Sequence, residues 1–388
     1  MKVIITVNKY YPNFDGVQFV TEYLAEGLAD LGNDIIVITS SYTRIPAPEN
    51  EIYNKVRIVR LPIFTKHTIH HGDIREYQKV VLDECENADC IINVGTQSPF
   101  TDWCFEILDD IKCKKILYLH SIWDFNYHLF DFDSIKHTLG KIWANIRWRL
   151  YYRKNGYFFK KYDIVTQLHE RDYSTLFFEK KYGIKSVIIE NAAADEFFFD
   201  GKETFVKPFE KYIINVSNFV DRKNQIDTVK AFLNSNIDNN IGLVLIGSKD
   251  TEYLKKLKSV EKKMRNKKNI PTNCKPILYL TGVERKYISY YVRNSILYIM
   301  TSKWEAYPIS IVESMAAGVP FISSDVGIVK YLPGGIISNK KEYSKKIEIL
   351  LKDNELYERL SFEGNTAAKE KMFIKNKIMQ LKQMIKEE

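Results

Sequence analysis

The stretch Ser302-Lys-Trp-Glu-Ala-Tyr-Pro-Ile-Ser-Ile-Val-Glu-Ser-Met-Ala-Ala-Gly-Val-Pro320 decides how this chain is read. The apolar run Ile296–Met300 just before it predicts a strand. Pro308 has the fixed φ favoured in the first turn of a helix. The apolar spacing predicts a helix to about Ala317, stopped by Gly318 with Pro320 beyond. Glu305 then falls in the strand-to-helix loop and Glu313 on the helix, seven residues between them. Such a loop lies at the carboxyl end of a parallel strand, where open α/β sheets bind ligands. The free N–H groups of the helix's first turn face the same spot and favour an anion; a diphosphate suits them. The plainer alternative is an ordinary strand–loop–helix carrying two solvated glutamates.

Outward from this stretch, short β-branched runs alternate with longer amphipathic ones. Val3–Val7, Ile35–Thr39, Val56–Leu61, Cys90–Val94, Ile116–His120, Ile164–Leu168 and Val187–Glu190 read as strands. Most are near-continuous apolar runs, the mark of parallel strands buried on both faces. Val17–Leu31 reads as a helix, with Val17, Val20, Leu24 and Leu28 on one face. After a polar stretch, Ala192–Glu210, the pattern begins again. Tyr212–Val216, Leu243–Ile246, Ile277–Leu280, Ile296–Met300 and Phe321–Ser323 are strands, with helices near Asn224–Leu233, Thr251–Lys263, Arg285–Val292 and Ile309–Ala317. The tail from Lys340 reads as helical. Two runs of β-α alternation predict an α/β chain with two Rossmann-like, doubly wound domains facing a central cleft. The expected division is 1–190, 191–370 and a terminal helix, 371–388.

The chain has 388 residues, 45% apolar and 27% charged, which suits two soluble domains and excludes collagen, coiled coil and wholesale disorder. No apolar run approaches the roughly 18 residues of a membrane span. The opening MKVIITVNKYYP is too briefly apolar for a secretory leader, so a cytoplasmic protein is expected. Cys85, Cys90, Cys104, Cys113 and Cys274 are odd in number and lack finger spacing, so reduced thiols are expected and no metal. The net charge of +8 favours an anionic partner.

The 302–320 stretch resembles the signature of the retaining GT-B glycosyltransferases of the large family-four group: Glu, seven residues, Glu. Both glutamates, Met315-Ala-Ala-Gly318 and Pro320 match, while Ala306 and Pro308 stand where the family has loop glycines. The resemblance implies that Glu305 contacts the donor sugar and Glu313 the ribose hydroxyls. It also implies that the Ile309 and Ser310 amides hold the donor diphosphate, and it counts Tyr307 among the donor contacts. Leu280-Thr-Gly-Val283-Glu284 is similar to the segment beside the nucleotide base. Val216-Ser-Asn218-Phe-Val-Asp-Arg222-Lys223 is similar to the segment opening the second domain, where the family carries an Arg and, five residues on, a Lys. Lys223 is in place. Asn218 replaces the Arg, and Arg222 is a candidate to supply its charge. Tyr10-Tyr-Pro-Asn-Phe-Asp15-Gly16 resembles the first-domain glycine loop, with Asp15 for one glycine and Gly16 retained. His120 stands where the family's strand-end His reaches the donor sugar. Asn191-Ala-Ala-Ala-Asp195 resembles the hinge segment, and the terminal helices are implied to cross back onto the first domain.

The implied activity is transfer of a hexose-like sugar from a nucleotide diphosphate sugar to a hydroxyl, with retention. Protein cations would take the place of a metal, and the donor is a substrate rather than a cofactor. A sugar-nucleotide epimerase of the same architecture and a degenerate, non-catalytic relative are the alternatives. Nicotinamide-dinucleotide, phosphate-loop and serine-elbow motifs are missing. His67, His70 and His71 read as a solvated loop. Between Ser134 and Tyr162 eight cations and no acid interleave with aromatics. Arg147, Trp148, Arg149, Arg153 and Lys154 are read there as an anionic-membrane surface, with a basic surface helix as the alternative and nucleic acid not expected. That surface points to a glycan or lipid-linked acceptor in bacterial surface polysaccharide assembly, on the inner face of the cell membrane.

Overall fold

In this computed structural model the described residues are all but Phe14, Asp15, Arg44, residues 200–204 and Glu388. The Asp15 substitution therefore lies outside them. The chain divides into two compact units, Met1–Glu190 with Lys375–Glu388, and Asn191–Ile374.

The first unit runs β1 (Lys2–Thr6), α1 (Gly16–Asp30), β2 (Asp34–Ser40), β3 (Asn50–Tyr53), β4 (Val56–Leu61), β5 (Phe64–Lys66), β6 (Ile69–His71), α2 (Ile74–Cys85), β7 (Cys90–Val94), α3 (Pro99–Asp102), β8 (Lys114–Tyr118), α4 (Ile135–Phe159), β9 (Ile164–Gln167), α5 (Tyr173–Tyr182) and β10 (Val187–Ile188). Its eight-stranded sheet has the order β10-β9-β8-β7-β1-β2-β4-β3. All neighbours are parallel except β3, which turns back along β4. Strand order reverses between β1 and β7, so the loops after these strands open at the sheet's switch point. β5 and β6 form a separate hairpin. Of the three histidines read as a solvated loop, exposed His67 lies in the hairpin turn, while His70 and His71 lie on β6. His70 Nε2 sits 3.1 Å from Asp102 Oδ2, and the hairpin bond to Thr65 holds its other nitrogen.

The second unit runs β11 (Tyr212–Val216), α6 (Gln225–Asn234), β12 (Gly242–Gly247), α7 (Glu252–Lys268), β13 (Ile277–Thr281), α8 (Arg285–Arg293), β14 (Leu297–Met300), α9 (Ile309–Ala316), β15 (Phe321–Ser324), β16 (Gly335–Ser338), α10 (Tyr343–Lys352) and α11 (Asn354–Lys371); α12 (Ile374–Lys386) follows. Its six strands are all parallel, in the order β13-β12-β11-β14-β15-β16. This is the doubly wound arrangement, with its switch point between β11 and β14. Ile213, Leu243, Leu297 and Ile322 lie wholly buried between the sheet and its helices. α12 packs in the first unit: Gln380 Nε2 donates to Ile188 O at 2.8 Å. Gly27 of α1 leaves the room that Ile378 fills.

α1 carries a buried electrostatic cost. Glu22 is half-buried, and burial, with Glu26 a turn away, pushes its carboxyl up from 4.5 to about 7. The folded value lies above the unfolded one. The contribution to stability is therefore full below about pH 4.5 and is lost as the pH rises through about 7. Glu22→Gln should stabilise the protein at about pH 8 relative to wild type and shrink that gain at about pH 5, read by thermal unfolding. Parallel pH profiles for the two proteins would contradict this.

Candidate functional site

The site residues of the second unit collect at its switch point because β11 and β14 are neighbours. The loop after β11 holds Asn218, Arg222 and Lys223; the loop after β14 holds Glu305 and Tyr307. Side chains bolt the two loops together. Thr301 Oγ1 donates to Asn224 O at 2.8 Å, and Asn224 Nδ2 returns a bond to Thr301 O at 3.2 Å. Asn224 holds φ +52, a left-handed conformation that Asn tolerates better than most side chains. Lys303 N donates to Arg222 O at 2.8 Å, and Lys303 Nζ reaches Asp221 Oδ2 at 2.6 Å. Gln225, fully buried, ties the start of the first loop through Ser217 Oγ at 2.8 Å and Asn218 O at 3.0 Å.

This frame brings Lys223 Nζ to 2.5 Å from Glu305 Oε1, with the carboxylate side chain 8% exposed. A carboxylate so far out of water needs a cation beside it. Glu305 is therefore not a solvated glutamate. The loop is held from behind by the β15–β16 connection. Ile328 N donates to Ala306 O at 3.1 Å, and Gly327, at φ +53, lies where a Cβ would collide with the Glu305 and Ala306 carbonyls.

α9 begins at Ile309 with Pro308 as its N-cap, one residue ahead of the first-turn place read from sequence. A proline cap fits, because that position needs no N–H and an extended ψ. Asn191 Nδ2 donates to Tyr307 O at 2.8 Å and fixes the turn into the helix, while the Tyr307 side chain is buried. The Ile309 and Ser310 amides lie in the first turn, which has no acceptor within the helix. Tyr298 of β14 stands beneath, its hydroxyl bonded to Val216 O at 2.9 Å and pushed up to about 12 by burial.

Glu313 is 1% exposed and ion-paired to Arg285, the first residue of α8. Arg285 also lies 5.5 Å from the Phe197 ring. Sequence reading missed Arg285; its only signal is a cation three residues after Gly282. Val283 is half-buried. Glu284 is exposed as the cap of α8, paired with Lys286 at 3.2 Å. Asn218 is exposed, and Arg222 lies over the Trp304 ring at 5.3 Å. Both cations nearest the paired glutamates are thus engaged. A lysine ammonium has three donors, so Lys223 can hold Glu305 and still meet an anion.

Gly16 and His120 belong to the first unit. Gly16 is the exposed first residue of α1. His120 stands two residues past β8, half-buried, its ring 5.2 Å from that of Tyr118; Ser121 after it holds φ +93. Among the described residues no group of three or more His, Cys, Asp or Glu is placed to hold a metal ion. The described cysteines are free thiols.

On α4, Arg149, Arg153 and Lys154 are exposed. Trp148 is not a surface tryptophan: it turns inward onto the core. Arg147 Nη2 is held by Thr68 O at 2.7 Å and lies 5.1 Å from the Trp148 ring. Among the described residues no helix is long and apolar enough to cross a membrane.

Residues 199–366 match the family model "Glycosyl transferases group 1". A probable sucrose-phosphate synthase of Thermosipho melanesiensis is 28% identical over 172 residues, 42% of this chain and 38% of that protein. The match thus spans about two fifths of that relative's length. The sucrose-phosphate synthase of Thermosynechococcus elongatus superposes with a TM-score of 0.72 at 13% identity, over 99% of this chain and 98% of that one. Anabaena HepE, solved in complex with UDP and glucose, does so with a TM-score of 0.67 at 14% identity, over 99% of each chain. The chain has the GT-B fold, and residues 199–366, within its second unit, are similar to the glycosyl transferases group 1 family.

Proposed function

We propose that the chain transfers a hexose-like sugar from a nucleotide diphosphate sugar to a hydroxyl, retaining the anomeric configuration. The observation that carries this is the Lys223–Glu305 pair set directly before the open first turn of α9. Bond breaking leaves negative charge on the diphosphate. Lys223, with Arg222 beside it, and the Ile309 and Ser310 amides stabilise that charge where it develops. Glu305 orients the sugar and is not a covalent nucleophile; Glu313 receives the ribose hydroxyls. Asn218, neutral where a cation is usual, contributes polar contact only. Val283, Glu284 and Tyr307 line the nucleotide and sugar, and Gly16 and His120 are the first unit's contributors. The acceptor attacks on the face the diphosphate leaves, and a departing phosphate oxygen takes its proton. Cationic side chains then do the work of a metal. HepE, of like fold, was solved in complex with UDP and glucose, which supports a nucleotide-bound donor here.

The unit Asn191–Ile374 is the donor side and the unit opening at Met1 the acceptor side in this reading. The acceptor is a glycan or lipid-linked hydroxyl, and the protein is peripheral on the anionic inner face of a membrane during polysaccharide assembly. The exposed cations Arg149, Arg153 and Lys154, with Arg147, support that place.

Two tests follow from the site. Glu313→Ala should weaken UDP binding by roughly tenfold or more in a calorimetric panel of nucleoside diphosphates, since a charged hydrogen bond is worth about 1.5–3 kcal/mol. Lys223→Ala should lower kcat more than it raises KM for the donor that binds best. Full activity in either variant would refute the assignment. In thermal unfolding without ligand, Lys223→Met strands the Glu305 carboxylate and should cost about 1–3 kcal/mol. Adding Glu305→Gln should recover most of that loss; no recovery would mean that the pair is not what holds the loop.

A further inference from the structure

α4 has two apolar faces, and only one is used. The inner face buries Asn145, Tyr152, Asn155, Gly156 and Phe159 against the first unit's core. The outer face carries Ile135, Leu139, Trp143, Ile146 and Leu150 at steps of four, four, three and four residues, a single stripe along the helix. These side chains are 81%, 60%, 65%, 55% and 60% exposed. Scattered exposed apolar residues are ordinary, but a continuous stripe over four turns marks an interaction surface.

Cations border that stripe. Lys136 and Lys154 lie along one edge, Arg149 and Lys160 along the other, and Arg153 continues its line. All five are exposed. Among the described residues none of them is ion-paired with a carboxylate, and the helix carries no acid of its own. Lys181 on α5 is lowered by burial and then by Arg149 and Arg153, as expected where cations crowd without an answering anion.

We infer that the outer face of α4 is a docking surface for an anionic lipid bilayer, the stripe entering the acyl boundary and the bordering cations meeting the headgroups. This rests on the peripheral reading above and deepens it: the element that enters is Leu139 and Trp143, not Trp148. A second copy of the chain is the weaker occupant. Two such stripes laid together would set cations beside cations, with no acid between 134 and 162 to answer them. A bilayer answers both features at once, and a 25-residue helix lying in its plane presents roughly 37 Å of contact.

The test is flotation of the full chain with vesicles of phosphatidylcholine alone or with about one-third phosphatidylglycerol. Wild type should float with the anionic vesicles and less so in high salt. L139S/W143S should bind them at least about tenfold more weakly. Brominated acyl chains should quench the fluorescence of wild type more than that of W143F. Both positions are exposed, so folding is expected to be intact, checked by an unchanged UDP-dependent thermal shift. Wild type that stays in solution would overturn both the inference and the peripheral reading. Wild type that floats with L139S/W143S floating equally, or without quenching at Trp143, would overturn the inference alone, leaving adsorption by cations. A concentration-dependent dimer abolished by L139S/W143S, with no flotation, would assign the stripe to a second copy instead.

Discussion

A carboxylate removed from water must be neutralised where it stands, and the Lys223–Glu305 pair is where this chain meets that demand. The pair forms because β11 and β14 are adjacent strands whose following loops open at the same end of the sheet. Lys223 and Glu305 stand 82 positions apart in the sequence. Topology closes that distance, and the Asn224–Thr301 and Arg222–Lys303 backbone and side-chain bonds hold it closed. Move either loop and the ammonium, the carboxylate and the first turn of α9 no longer share one spot.

The second carboxylate obeys the same rule with a different cation. Glu313 sits on the buried face of α9 and is met by Arg285 from the start of α8. Both acids that the signature singles out are thus held ionically, by residues from two other loops or helices. The ligand-free site is pre-organised and stores little empty charge. In the proposed reading, a diphosphate entering it would meet amides and a shared lysine, while a ribose at Glu313 would compete with the Arg285 guanidinium.

Much of this was legible in the chain. The strands Val56–Leu61, Cys90–Val94 and Tyr212–Val216 have the limits their apolar runs suggest, and α9 starts where Pro308 and its apolar spacing place it, within a residue. These are buried parallel elements, in which periodicity reports burial directly. Two such runs implied the two doubly wound sheets, and the resemblance of the 302–320 stretch implied the GT-B fold. Other parts were not legible. The β5–β6 hairpin is short and polar, so His70 and His71 on its second strand read as loop together with His67 in its turn. Arg285 is one cation among many until folding sets it against Glu313. Trp148 and Trp143 are five residues apart in a helix apolar on two faces, and only packing shows which of them turns inward. Asn224 and Thr301 are unremarkable letters whose bond needs two strands to be neighbours.

Hydrogen exchange followed by mass spectrometry, with and without the nucleoside diphosphate that stabilises the protein most, tests the placement of the diphosphate most directly. Slowed exchange is expected at residues 221–224 and at the Ile309 and Ser310 amides, together and saturably. Nucleotide binding that leaves both segments unchanged while protecting another part of the chain would contradict a phosphate held between Lys223 and the start of α9.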